Sequence, residues 1–336
     1  MSGPAKLDLP LDQPGLHWGA LTLPWSRDDS AYGQLVIPVA VLNGATPGKT
    51  ALLTAGVHGD EFEGQIALME LARELEPEEL TGRVILVPAT NLPAARAGRR
   101  TSPLDGGNLA RLFPGDPAGG LTSQIAEGVT RLLLPHADIV LDLHGGGSSL
   151  EYLPCAWGRL PRDPALAEQV LDGLCALGAP LTAVVTPAEN RGTLISTALE
   201  LGKVALATEI GGAGTVTPQT LAVARAAVRR VLTHVEIIRP LPSAQTRLLA
   251  VRPHHFLRSP ARGLFATAAE AGQEVKAGEI AGQLYDLNCP SAVPQVLRWP
   301  ADGLVICRRV SPKTEPGDVL GHLAEEVTRA ELLSRY

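Results

Sequence analysis

The chain is expected to fold as an α/β protein: a mixed, mostly parallel sheet with helices on both faces over residues 1–240, then a small β-barrel-sandwich domain over 241–336. Three observations predict this. Strand-like and helix-period segments alternate as far as about residue 237, the pattern of strands linked by crossover helices. Several of the strands are apolar throughout rather than alternating, as strands covered on both faces are. Near "RPLPSAQ" (239–245) the composition changes, and strand-like runs become short with frequent turns.

In order along the chain, "QLVIPVAVLN" (34–43) and "TALLTAGV" (50–57) are β-branched, apolar runs separated by the turn-like "GATPGK", which predicts two adjacent strands. "FEGQIALMELARELEPEEL" (62–80) spaces its apolar residues for a helix and meets a proline near its end. "GRVILVPAT" (82–90) is the next strand, and a long Gly/Pro/Arg-rich loop runs from Asn91 to Gly120, a length that points to function or disorder. A helix over 121–136, a strand in "ADIVLDLHGGG" (137–147), strands in "TAVVT" (182–186) and "KVALATE" (203–209), and a helix over 217–235 continue the alternation. In the last hundred residues, stretches beginning at Gly263 and Gly303 share a GL opening and a Gly-acid-apolar-x-Gly-x-Leu close. They predict two halves of a lipoyl/biotinyl-type barrel. The segment between them has no lysine to carry a prosthetic group, which leaves structural support or a lid.

The chain has 336 residues, 45% of them hydrophobic, which suffices for a large core and suggests two domains. The formal net charge of −6 with scattered basic residues argues against nucleic acid and for a small-molecule ligand. The N-terminus has no basic segment followed by an apolar core, and no run of eighteen apolar residues occurs. The reading is a cytoplasmic protein without a membrane partner, and it leaves a homo-oligomer open. Cys155, Cys175, Cys289 and Cys307 are widely spaced without a CxxC pair, so buried thiols are expected.

Open α/β sheets bind ligands beyond the carboxyl ends of their strands. His58 and Glu61 follow "LLTAGV", His144 follows "DIVLDL" and Glu209 follows "VALAT". Two imidazoles and a carboxylate make the three-ligand set that catalytic zinc favours, leaving a fourth position for water or substrate. His58, Glu61 and His144 are therefore the candidate ligands of one Zn²⁺ per subunit. Glu209 is the candidate base, a carboxylate at an apolar strand end followed by glycines. Asp142 projects to the same side of its strand as His144 and could orient it. Asp60 and Glu63 are read as acidic residues of a helix N-terminus, and the remaining histidines as surface or core residues.

"AGVHGDEFEG", "NLPAARAGRRTSPLDGGNLARLFPG", "DIVLDLHGGG" and "ATEIGG", in that order, resemble the succinylglutamate desuccinylase/aspartoacylase family, a branch of the zinc carboxypeptidase-like hydrolases. The resemblance covers roughly residues 35–235, and the barrel is similar to the family's C-terminal domain. It implies zinc on His58, Glu61 and His144, and Glu209 as general acid and base. It also implies an arginine that polarises the scissile carbonyl, Arg100 by position with Arg99 as fallback. Family members commonly read N-L-N-R where this chain has Asn108-Leu109-Ala110-Arg111. Ala110 has no side-chain donor, whereas Arg111 keeps a planar fork for a carboxylate. Either Asn108 compensates as a substrate-binding residue, or the substrate lacks the usual carboxylate. Tyr285, on the barrel's connecting loop, could reach the cleft as a tyrosine does in some relatives.

The resulting expectation is a zinc-dependent amide hydrolase that removes an acyl group from a small N-acylated amino acid or related amine. Two rivals stand beside it. One is a metallocarboxypeptidase, against which the altered NLAR loop counts; the other is a non-catalytic metal-binding protein, against which Glu209 counts.

Overall fold

Strand and helix patterns resolve into one large mixed sheet in the computed structural model, which describes residues 3–186, 191–242 and 244–334. Its N-terminal and central strands are β1 (Lys6–Asp8), β2 (Gly15–Pro24), β3 (Gln34–Asn43), β4 (Thr46–Ala55), β5 (Thr81–Val87), β6 (Ile139–His144), β7 (Leu150–Gly158), β8 (Leu181–Val185), β9 (Val204–Gly212) and β10 (Arg247–Val251). In the C-terminal part are β11 (Phe256–Arg258), β12 (Gly263–Thr267), β13 (Glu274–Val275), β14 (Ile280–Tyr285), β15 (Gln295–Arg298), β16 (Gly303–Arg309), β17 (Lys313–Thr314) and β18 (Val319–Glu326). The large sheet has the order β1-β2-β3-β5-β4-β6-β9-β7-β8-β10-β18-β16-β13.

The expectation of a mostly parallel sheet needs correcting. Only β5-β4-β6-β9 and β7-β8-β10 run parallel. The β1-β2-β3 meander, the β3–β5 and β7–β9 seams and the C-terminal strands pair antiparallel. Short connections impose this, because a strand that returns without a crossover can pair only antiparallel. The two strands expected to be neighbours, β3 and β4, are separated by β5, which pairs with both. The crossover through helix α1 (Phe62–Glu74) carries the chain to that slot.

Helices do cover both faces. The remaining helices are α2 (Leu92–Ala97), α3 (Leu121–Leu132), α4 (Pro164–Ala176), α5 (Leu194–Glu200), α6 (Pro218–His234) and α7 (Arg329–Leu333). Leu53, Leu141 and Leu206 pack with Leu68 and Leu71 of α1, Val170 and Leu174 of α4 and Val228 and Val231 of α6. Their strand neighbours Leu52, Val140 and Ala205 face the other way, onto Ile125 and Val129 of α3 and Leu194 and Ala198 of α5. This is the period of two in a doubly covered sheet. Truncating Leu53, fully buried, to alanine would cost about 2–5 kcal/mol.

Helix α1 matters most for the site. It begins at Phe62, directly after Glu61. A Cβ on Gly64 would stand 2.5 Å from Leu143 Cβ. The missing side chain lets the first turn of α1 lie against β6 and brings Glu61 beside His144. Helix α6 starts at a Thr217 cap whose hydroxyl accepts from Thr220, with Pro218 at its first position.

The C-terminal repeats each supply a long strand, a two-residue strand and a second long strand: β12, β13, β14 and β16, β17, β18. The short strands exchange partners, β13 pairing β16 and β17 pairing β12. Consequently β12, β14, β15 and β17 form a separate four-stranded sheet while β16 and β18 extend the large one. Leu257, Phe265, Leu284, Trp299, Val305 and Leu323 form a core between them. The four cysteines are free, and Cys289 is exposed rather than buried because it lies in the loop after β14. Among the described residues, no helix is long and apolar enough to cross a membrane.

Candidate active site

Strands β4, β6 and β9 are parallel neighbours, with Ala55 opposite Leu143 and His144 opposite Glu209. The carboxyl ends of β4 and β6 deliver the loop 56–61 and His144 to one edge of the sheet, the usual place for a ligand. Glu209 lies beside His144 not at the end of β9, as the sequence suggests, but inside it, because β9 runs on to Gly212 to pair with β7. His58 Nδ1 lies 2.7 Å from Glu61 Oε1, and His144 Nδ1 lies 2.9 Å from Glu61 Oε2. The ring centroids are 5.1 Å apart, and one donor atom from each of the three residues lies within 4.8 Å of the others. His58 and Glu61 are buried and His144 nearly so. Among the described residues this is the group whose donors suit a metal ion.

The outward nitrogens are held as well. His58 Nε2 is 3.1 Å from Asn108 Oδ1, and His144 Nε2 is 2.8 Å from Asp142 Oδ2. Asp142 Oδ1 in turn accepts from Thr54 Oγ1 at 2.7 Å. Both imidazoles thus turn Nδ1 toward a common point, with ring orientation set from behind, as in metal sites whose histidines donate their other N–H to an acceptor.

Charge follows from these contacts. Burial disfavours an ionised Glu61, yet the adjoining His58 and His144 outweigh it and hold the carboxyl far below its usual range. Burial opposes a charged His144 too, but Asp142 and Glu61 prevail and raise it well above the ordinary imidazole value. His58, backed by a neutral amide, is lowered by burial despite Glu61. The Glu209 carboxyl is pushed up to about 8 by burial and by Glu61, against the pull of His144 and Arg100. Its Oε2 is buried without a hydrogen-bond partner among the described residues.

The loop from Asn91 to Gly120 is partly structured, containing α2 and a 3-10 turn at Leu109–Arg111. Arg100 is half-exposed and its guanidinium is 3.4 Å from Glu61 Oε1. Arg99 meets the 56–61 loop through its backbone carbonyl, which accepts from Gly59 N–H at 2.8 Å. Asn108 caps the 3-10 turn, its Oδ1 accepting from Ala110 N–H as well as facing His58. Arg111 donates to the carbonyl of Ala110 at 2.7 Å. Its guanidinium is lowered by burial and by Arg100, with Glu209 opposing. Tyr285 is the exposed last residue of β14, and its hydroxyl donates to Gln283 at 2.8 Å.

Two contacts escape a local reading of the sequence. Asn108 supports His58 across fifty positions of chain, and Asp60 is no helix-terminal charge. Only Glu63 lies in the first turn of α1. Asp60 precedes the helix, and its Oδ2 accepts from Ser148 N–H and Oγ–H, each at 2.8 Å. The glycine-rich stretch before Ser148 was the available signal, since a turn with free amides needs an acceptor.

Residues 47–235 match the family described as the succinylglutamate desuccinylase/aspartoacylase catalytic domain. Over 329 residues the chain is 39% identical to the N-alpha-acetyl-L-2,4-diaminobutyric acid deacetylase of Halomonas elongata, covering 96% of each. The product-bound structure of the ectoine utilization protein EutE (DoeB) from Ruegeria pomeroyi superposes with a TM-score of 0.93 at 37% identity, over 97% of this chain and 100% of that one. A succinylglutamate desuccinylase structure from Silicibacter sp. TM1040 gives 0.92 at 36% identity over the same shares. Fold and relatives together define an enzyme, a hydrolase of amide bonds outside peptides. The chain belongs to the succinylglutamate desuccinylase/aspartoacylase family.

Proposed function

We propose that this chain is a zinc-dependent deacylase that removes the acetyl group from a small Nα-acetylated amino acid, of which N-α-acetyl-L-2,4-diaminobutyrate is the first candidate. The observation that carries the reading is the convergence of His58, Glu61 and His144 with Glu209 in register beside His144. The name of the Halomonas relative supports the choice of substrate. Residues 1–240 would carry the chemistry and 241–336 support it, in a cytoplasmic enzyme acting on a small molecule.

His58 Nδ1, the Glu61 carboxylate and His144 Nδ1 would hold one Zn²⁺, a donor set and a burial that fit this ion. Bound zinc supplies Lewis acidity, polarising the acyl carbonyl and lowering the pKa of water to about 7. Glu209 takes a proton from the attacking water and returns it to the departing nitrogen. A carboxyl raised to about 8 suits both halves of that transfer, because a group titrating near the working pH gives and receives a proton at small cost. Arg100, half-exposed at the rim, donates to the carbonyl oxygen as negative charge grows there. Arg111 takes the substrate carboxylate in its planar fork. Asn108, whose Oδ1 is engaged by His58 and Ala110, has its amide N–H₂ as a second donor and so replaces in part what Ala110 lacks.

Release of free amine from N-α-acetyl-2,4-diaminobutyrate, N-succinylglutamate, N-acetylaspartate and a blocked dipeptide tests the reading, with zinc-loaded and chelator-treated protein side by side. The acetylated diamino acid should be cleaved fastest, and only with zinc. Preference for the dipeptide, or equal rates after chelation, would overturn it.

A further inference from the structure

We propose that Asp60 is a positioning residue that locks the turn carrying His144 onto the loop carrying His58 and Glu61, acting through Ser148. The inference rests on the zinc reading of that site. Asp60 stands between His58 and Glu61, is 5% exposed, and its Oδ2 accepts both from the backbone N–H and from the hydroxyl of Ser148. Glu61, the next residue, accepts from Gly145 N–H at 3.2 Å and faces His144. Two consecutive side chains of one loop therefore hold the start and the end of the same turn, Gly145–Ser148.

The turn is shaped for this grip. Gly147 has φ +57°, and a Cβ there would lie 2.7 Å from Asp60 Oδ2, so the carboxylate occupies the space a side chain would take. The turn's far side is bonded to the strand end after Glu209: Gly146 N–H donates to Gly211 at 3.1 Å, and Gly214 N–H donates to the Gly147 carbonyl at 2.8 Å. Asp60 thus ties the end of this turn to the loop that carries His58 and Glu61, while the β6–β9 pairing sets His144 beside Glu209. Asp60 Oδ1 is buried without a partner among the described residues. Charge-assisted bonds to two donors of one residue give tighter geometry than neutral ones.

The test uses full-length Asp60→Ala, Asp60→Asn, Ser148→Ala and the Asp60→Ala/Ser148→Ala double variant. Zinc affinity is read by chelator competition, kcat and KM by amine release, and melting temperature on the metal-free proteins. Asp60→Ala should weaken zinc binding about 10–100-fold, the usual effect of removing a residue that orients a metal ligand. It should lower kcat more than it raises KM, and lower the metal-free melting temperature by only a few degrees, as loss of the two bonds to Ser148 requires. Asp60→Asn, which keeps an acceptor for Ser148, should restore most of the zinc affinity, and the double variant should be no worse than Asp60→Ala. Wild-type zinc affinity in Asp60→Ala, or fully additive losses in the double variant, would overturn the inference. If Asp60→Ala does not fold, Asp60→Ser decides, because it too removes the carboxylate that both Ser148 donors meet, whereas Ser148→Ala keeps the backbone N–H bond: unaltered zinc affinity in Asp60→Ser refutes the coupling. Failure of the wild-type protein to bind zinc would instead refute the reading of the site.

Discussion

Replacing Glu209 with glutamine keeps the shape of the side chain and removes its ability to exchange a proton. With the carboxyl at about 8, roughly one group in ten is ionised at pH 7. In the metal-free chain the protonated form is thus in about tenfold excess at pH 7, and the ionised minority is the form that accepts a proton. Losing a positioned acid–base group costs about 10²–10⁴ in rate, or about 2.7–5.5 kcal/mol on the barrier at 1.36 kcal/mol per tenfold. The expected result is a kcat lowered by that factor, a KM within a few-fold of wild type and one zinc per chain. A second readout has its own sign. The unfolded carboxyl titrates near 4.5 and the folded one near 8, so the folded state binds the extra proton between those values, and wild-type stability falls as pH rises across that window. Metal-free Glu209→Gln loses this slope and should be more stable than wild type at pH 8, by at most a few kcal/mol, roughly the size such a shift allows, while matching it near pH 4.5. Hydrolysis by the variant within about fivefold of wild type, well short of the hundredfold or greater loss expected for an acid–base group, would refute Glu209 as the proton carrier.

Other substitutions read separate parts of the account. His144→Ala should abolish stoichiometric zinc uptake, measured by atomic absorption after gel filtration, since it removes one of three donors. Arg111→Lys should raise KM about tenfold or more with a smaller change in kcat, because an ammonium cannot reproduce a planar two-point grip. Gly147→Ala should lower stability by about 1–3 kcal/mol in urea unfolding, because φ +57° is unfavourable for alanine and the new methyl meets Asp60. Burial pushes His322 down to about 3 and His255 down to about 4. The unfolded chain takes up protons below the ordinary 6.5 while the folded one resists, so stability should fall as pH drops from about 6.5 toward 3. His322→Gln should flatten that slope in urea melts at pH 7, 5 and 4.

What the sequence makes legible is local. A polar residue directly after an apolar strand marks its carboxyl end, which is why His58, Glu61, His144 and Glu209 stand out one by one. Alternation of strands and helices likewise gives the doubly covered sheet. Order within the sheet is different: β5 enters between β3 and β4 through a crossover whose landing place depends on packing against α1, which no short window encodes. Strand β7 carries a proline at position 154 and an irregular register with β9, so its strand period is broken. Asn108 behind His58 and Asp60 on Ser148 are contacts 50 and 88 positions apart. Their residue types fit loop or helix-end roles equally well until the chain is folded.

Zinc K-edge absorption, or anomalous diffraction, on the zinc-loaded protein tests the central claim most directly. The account predicts one cation with two imidazole nitrogens at about 2.0–2.1 Å and a carboxylate oxygen at about 2.0–2.2 Å, from His58, His144 and Glu61. A cation bound by other residues, or no ordered cation at saturating zinc, would contradict it.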